Sequence, residues 1–162
     1  MEFEKRRQDR RQWWSAGDSC SMSKVLELLN TKTTFQVLRE LFFGTTRFED
    51  FVERIKTSAP AVSRALKQLE AAQIVARVPY QEPGSRARDE YRLTEPGEDL
   101  LPVFMSLVQW GDTYLQDGSP PLSFIDAGTG QTLAVLVTAE SDAPKKRSAD
   151  IQIRASGAGR RR

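Results

Sequence analysis

Residues 57–78, TSAPAVSRALKQLEAAQIVARV, run from an amphipathic helix straight into a short alternating apolar segment. On a helical wheel Val62, Ala65, Leu66 and Leu69 take one side, and Ser63, Arg64, Lys67 and Gln68 take the other. Ser58 is the expected N-cap, and Pro60 falls in the first turn, where a missing N–H is tolerated. The helix therefore buries one stripe and presents a basic, hydrogen-bonding face outward. That pairing limits what the neighbouring segments can be.

Those neighbours are short helices before and a hairpin after. MSKVLELLN places Met22, Val25, Leu26 and Leu29 on one stripe, and TTFQVLRELFF places Phe35, Leu38, Leu41 and Phe42 on another, with Gly44 as a C-terminal stop. TTRFEDFVERI starts with Thr45 or Thr46 as N-cap and buries Phe48, Phe51, Val52 and Ile55. Beyond the basic-faced helix, IVARV and DEYRL read as strands around the turn-rich loop PYQEPGSRAR. TEPGEDLLPVFMSLVQWGDTYL closes the domain as a capped helix kinked at Pro102. The predicted class is mainly α with a small β-hairpin: a helix-turn-helix backed by a wing.

The organisation follows from composition along the chain. Residues 1–17 form a basic arm containing Trp13 and Trp14, and residues 18–116 form the compact domain. In 117–142 the strands Leu122–Ile125 and Thr132–Thr138 are expected to pair as a C-terminal hairpin; 143–162 is too poor in apolar residues to fold and is expected to be a disordered basic tail. Charge is sorted along the chain. Residues 54–92 carry eight basic groups against four acidic ones, residues 93–142 carry eight acids and no Lys or Arg, and from 143 onward there are seven basic residues and one Asp. Such sorting suits a face that meets a polyanion.

Several chemistries are excluded. The chain has no histidine and a single cysteine, Cys20, which removes Ser-His and Cys-His nucleophile pairs and any His- or thiolate-ligated zinc site within one chain. No phosphate-cradling glycine motif is present. The expectation is a protein that is not an enzyme, with no cofactor and no metal. The longest apolar run, LAVLV, is far short of the roughly 20 residues of a membrane span, and the charged start of the chain does not look like a secretion signal; a lone cysteine agrees with a reducing compartment, so the expected location is the cytoplasm.

The functional expectation is recognition of double-stranded DNA. A recognition helix at about 58–72 would enter the major groove, with Arg47, Ser58, Pro60, Ser63, Arg64, Lys67 and Gln68 as DNA-binding residues. A wing at 80–89 would carry Arg86 and Arg88 to the adjacent minor groove or its phosphates. The alternative is a winged helix serving as a protein-interaction module. The last helix has more apolar surface than its own core needs, centred near Leu101, Val108 and Leu115. With Val25 and Leu29 these residues are the expected interface of a homodimer, with Trp13–Trp14 joining it.

From Cys20 to Trp110 the chain resembles the HxlR-type winged-helix transcriptional regulators, on the segments LRELFFGTTRFEDF, VSRALKQLEAAQIVAR, EYRLTEPGEDLLPV and QWGD. The resemblance implies a homodimeric bacterial regulator, often a repressor, binding an inverted-repeat operator and sometimes responding to electrophiles or oxidants. It makes Cys20 a candidate redox sensor and leaves any small-molecule effector unknown. The chain departs from the family pattern at Ser21, where Pro is usual after the Cys, at Thr33, where a Trp is usual, and at Pro60, where a Lys is common.

Overall fold

The computed structural model describes residues 20–116, 119–139 and 145–155; the expected N-terminal arm with Trp13 and Trp14 lies outside the described residues. Four helices come first: α1 (Ser21–Leu28), α2 (Lys32–Phe42), α3 (Phe48–Ile55) and α4 (Ala59–Ala71). The antiparallel hairpin β1 (Val75–Tyr80) and β2 (Arg88–Leu93) follows, in register from Val75 opposite Leu93 to Tyr80 opposite Arg88. A one-turn α5 (Glu95–Glu98) leads into α6 (Leu101–Leu115), and a second two-stranded sheet joins β3 (Leu122–Asp126) to β4 (Ile151–Ala155).

The core takes up much of the predicted stripes of α2, α3 and α4 but adds Val37 from outside them, and of the predicted α1 stripe only Leu29 is buried while Met22, Val25 and Leu26 stay exposed. Val37 and Leu38 of α2, Phe51 of α3, and Val62, Leu66 and Leu69 of α4 are almost wholly removed from water. Phe35 packs at the edge of this cluster, so a smaller aromatic contributes where Thr33 cannot. Helix starts differ in detail from expectation. Thr31 caps α2 by accepting from the Thr34 amide at 3.1 Å. The N-cap of α3 is Arg47 rather than Thr45 or Thr46, because the Thr45 hydroxyl donates instead to buried Glu40 Oε2 at 3.2 Å. Ser58 occupies the N-cap of α4 without a side-chain capping bond.

The hairpin is stitched to the helices through Thr94 and Tyr91. The Thr94 hydroxyl donates to the Gln73 carbonyl at 2.5 Å and accepts from the Gly97 amide at 3.2 Å, while its own amide donates to Ile74 O at 3.1 Å. The Tyr91 amide donates to Thr46 O at 2.8 Å, and its ring meets Phe51 edge-on at 6.3 Å.

Two expectations about the C-terminal half are corrected. The closing helix is not one kinked rod: it stops after Glu98 and restarts at Leu101, with Pro102 in the new first turn. A continuous helix would drive the Pro102 ring into the Glu98 carbonyl, and a restart avoids the clash. In the C-terminal region, Thr132 forms only an isolated bridge to Ile125, and the strand partner of β3 is β4, drawn from the segment expected to be disordered. Residues 131–133 still meet β3, with Leu133 N donating to Phe124 O and Asp126 N to Gln131 O, both at 2.8 Å; beyond them the Gln109 side chain accepts from Val135 N at 3.0 Å and donates to Val135 O at 3.3 Å, tying that backbone to α6.

The stretch leading into β4 is fastened by charge. Ser148 donates to Glu98 through its amide at 2.9 Å and its hydroxyl at 2.6 Å, and Lys146 pairs with nearly buried Asp126. The Lys146 ammonium, together with the Thr129 amide, holds the Asp126 carboxyl at about 2. A depressed carboxyl stabilises the fold above its unfolded value near 3.8, and that contribution is lost as pH falls toward 2. Asp126→Asn is therefore expected to lower the urea midpoint at pH 7, with the gap from the parent closing between pH 4 and 2. A gap independent of pH would refute the ion pair as its source.

Candidate nucleic-acid interface

The helix-turn-helix is α3 and α4, separated by Lys56 in the left-handed conformation (φ 54°), which reverses the chain tightly. Burial of Val62, Ala65, Leu66 and Leu69 fixes the rotation of α4 about its axis. Arg64 and Lys67 then face solvent, Ser63 is half-buried beside them, and Ser58 and Pro60 are exposed at the helix start. Neither Arg64 nor Lys67 has an ion-pair partner among the described residues. Two cations one turn apart on an open face are free to meet phosphates or base edges.

Gln68 is placed differently from expectation. Its Nε2 donates to Leu28 O at 2.7 Å, satisfying a carbonyl at the C-terminal end of α1. It therefore anchors α1 across α4 instead of joining the outward face.

The wing is tied back to the start of α3. Arg47 Nη2 meets Glu82 Oε1 at 2.6 Å and its guanidinium lies 4.9 Å from the centre of the Tyr80 ring; Glu82, then Tyr80, raise its pKa further. Arg88 approaches Glu49 at 3.6 Å. These contacts align the hairpin with the helix-turn-helix, although exposed pairs of this kind contribute little to stability. Arg86 sits at the exposed tip without an ion pair among the described residues. Sequence reasoning missed Glu82, Tyr80 and Glu49, whose roles arise only because β1 returns to α3.

Cys20 is the N-cap residue of α1 and half-exposed. The Ser23 hydroxyl and amide beside it, and the Met22 amide, lower its pKa from the ordinary thiol value. The apolar surplus of α6 lies on a different face from the one expected. Leu29 and Leu101, each 4% exposed, close the protomer's own core, and Val108 is half-buried. The open stripe is Val103 (45%), Leu107 (53%), Trp110 (57%) and Tyr114 (67%), with Leu115 beyond it and Met22, Val25 and Leu26 exposed on α1. The break before Leu101 rotates α6 so that Leu101 and Phe104 point inward, Phe104 stacking on Phe42 at 5.2 Å.

A helix-turn-helix with a basic outer face, followed by an antiparallel wing and a long apolar-faced helix, is matched by one family model, the HxlR-like helix-turn-helix, over residues 28–119. The chain belongs to the HxlR-like family. Among relatives of known sequence, it is similar to the uncharacterised HTH-type transcriptional regulator Rv3095 of Mycobacterium tuberculosis, 39% identical over 63% of this chain and 64% of that protein. It is also similar to the HTH-type regulator sll1512 of Synechocystis, 31% identical over 69% of this chain and 82% of that protein. The match thus spans less than two thirds of the mycobacterial relatives' length. Among solved structures, the transcription factor PA1607 superposes with a TM-score of 0.67 at 25% identity, over 82% of this chain and 92% of its own. The redox regulator HypR in its oxidised form superposes with a TM-score of 0.52 at 26% identity, over 58% and 96%. The neighbours are winged-helix transcription factors, and this chain shares their architecture.

Proposed function

We propose that this protein is a cytoplasmic, DNA-binding transcriptional regulator that acts as a homodimeric repressor on an inverted-repeat operator. The observation that carries the reading is the outer face of α4, where Arg64 and Lys67 stand exposed beside Ser63, with no ion-pair partner among the described residues. The α4 helix enters the major groove, with Ser58 and Pro60 at its start near the backbone. Arg86 and Arg88 bring the wing to the neighbouring minor groove or its phosphates, and Arg47, ordered by Glu82, supports the same strand. Membership of the HxlR-like family supports the same assignment. The test is binding to DNA from upstream of the chain's own coding sequence. A retarded complex at low salt that survives non-specific competitor is expected; no complex at low salt would refute the reading and favour a protein-interaction module.

The α6 stripe supports the dimer. An exposed row of Val103, Leu107, Trp110 and Tyr114 is a liability in a monomer, and two copies facing one another across a two-fold axis would cover it. Leu107→Glu is expected to leave the protomer folded, because Leu107 is about half exposed (53%), and to shift sedimentation from a dimer toward the 18.3 kDa protomer. A parent protein that already sediments as a monomer at micromolar concentration would overturn this.

Cys20 supports regulation by thiol oxidation as a second element. Its lowered pKa increases the thiolate fraction near neutral pH, and thiolate is the reacting form. HypR, a solved neighbour, is a redox regulator. Diamide is expected to change operator affinity in the parent and not in Cys20→Ser; equal responses would remove Cys20 from the mechanism.

A further inference from the structure

Between α6 and the C-terminal sheet lies a cavity of about 350 Å³, within the range of small-molecule sites, roughly 300–1,000 Å³. Its apolar walls include Met105 and Val108 of α6, Phe124 of β3 and Leu133. Its polar groups are not equivalent. The Gln109 amide is already closed on the Val135 backbone, and the Thr113 hydroxyl donates to Gln109 O at 2.9 Å. The Asp112 carboxyl, also in the wall, has no hydrogen bond or ion pair among the described residues, and partial burial pushes its pKa upward. No Lys or Arg lines the cavity, and none occurs anywhere in residues 93–142. A carboxylate beside apolar walls, without a partner, is relieved by a cation brought in from outside.

We propose that this cavity binds a small amphipathic amine, with its ammonium on Asp112 and its apolar body against Phe124, Val108 and Met105. The ligand class follows from charge and shape together: the one charged side chain in the wall is anionic, the Ser123 and Thr132 hydroxyls also in the wall are neutral, and Met105, Val108, Leu122, Phe124 and Leu133 accept hydrocarbon. The position suits an effector. Met105 and neighbouring Phe104 are buried where α6 meets α2, with Phe104 touching Phe42 at 5.2 Å and Phe43 at 6.1 Å, and α2 packs on α4. An amine that binds one seating of α6 better than another would bias the spacing of the two recognition helices. That consequence rests on the proposed function; the binding itself does not.

The chain has three methionines, Met1, Met22 and Met105; of the two among the described residues only Met105 lines the cavity, so methyl-labelled methionine gives a local probe with Met22 as an internal control. Titration with 3-phenylpropylamine is expected to move the Met105 methyl resonance saturably and to leave that of exposed Met22 in place. The uncharged 3-phenylpropanol and anionic 3-phenylpropionate, similar in size, are expected to bind about tenfold more weakly or less. Asp112→Asn should bring the amine down to the level of the alcohol. Equal affinities for amine and alcohol in the parent, or no saturable Met105 shift at millimolar amine, would overturn the proposal. A failure of the parent to bind DNA would count against the regulatory reading and leave the Met105 titration intact.

Discussion

Gly97→Ala is expected to destabilise the domain more than any exposed substitution. A Cβ at this position would lie 2.2 Å from the Ile74 carbonyl oxygen and 3.0 Å from Leu93 Cδ2. The first contact is with backbone, so no side-chain rotation relieves it. Ile74 O already accepts from the Thr94 amide at 3.1 Å, and the Gly97 amide donates to the Thr94 hydroxyl at 3.2 Å. Opening the contact therefore loosens the seam joining the α4–β1 turn, the end of β2 and α5. Overpacking in a closed site costs typically 1–3 kcal/mol, and the backbone clash puts this change near the top, about 3 kcal/mol. The melting temperature should fall by roughly 10 °C. A variant melting within a degree of the parent would show that the seam is not closed in solution.

The second large effect concerns DNA. Arg64→Ala and Lys67→Ala are each expected to weaken operator binding while leaving the melting temperature within about two degrees, since surface changes away from packed features stay within ~0.5 kcal/mol. Both side chains are exposed and have no ion-pair partner among the described residues, so their removal leaves no buried group there without a partner. The two contact types are separable by salt. Loss of a phosphate contact weakens all sequences alike and reduces the salt slope by about one unit; loss of a bidentate base contact costs about 1–3 kcal/mol at one position of the operator. Parent-like binding by both variants would remove α4 as the recognition element. Gln68→Ala is an internal contrast, because Gln68 already donates to Leu28 O at 2.7 Å. The change should loosen α1 without altering the salt slope.

Much of the helix-turn-helix and wing was legible from periodicity. Apolar residues at helical spacing placed α2, α3 and α4, and the four residues chosen for the inner side of α4 are the four it buries. The wing followed from two alternating runs around a turn-rich loop, and they pair from Val75–Leu93 to Tyr80–Arg88. The stretch ending in β4 carries a strand signal of its own, since Ile151 and Ile153 alternate as strand residues do, but inside a segment of low overall hydrophobicity.

What the sequence determined by itself was helices α1 to α4, the wing and the outward direction of Arg64 and Lys67, because these depend on spacing within a dozen residues and on the demand that one stripe be buried. The tertiary structure alone decided which polar side chains remain open. Gln68 and Leu28 are 40 residues apart, Arg47 and Glu82 are 35 apart, and Ser148 reaches Glu98 across 50. Nothing in local spacing encodes such pairs: a hydrogen bond is chosen by whichever partner the packed elements bring within about 3 Å. The same holds for the face of α6. Composition showed that its apolar surface exceeds what one core needs, but the break at Asp99 and Leu100 set its rotation, turning Leu101 inward and Leu107 and Trp110 outward.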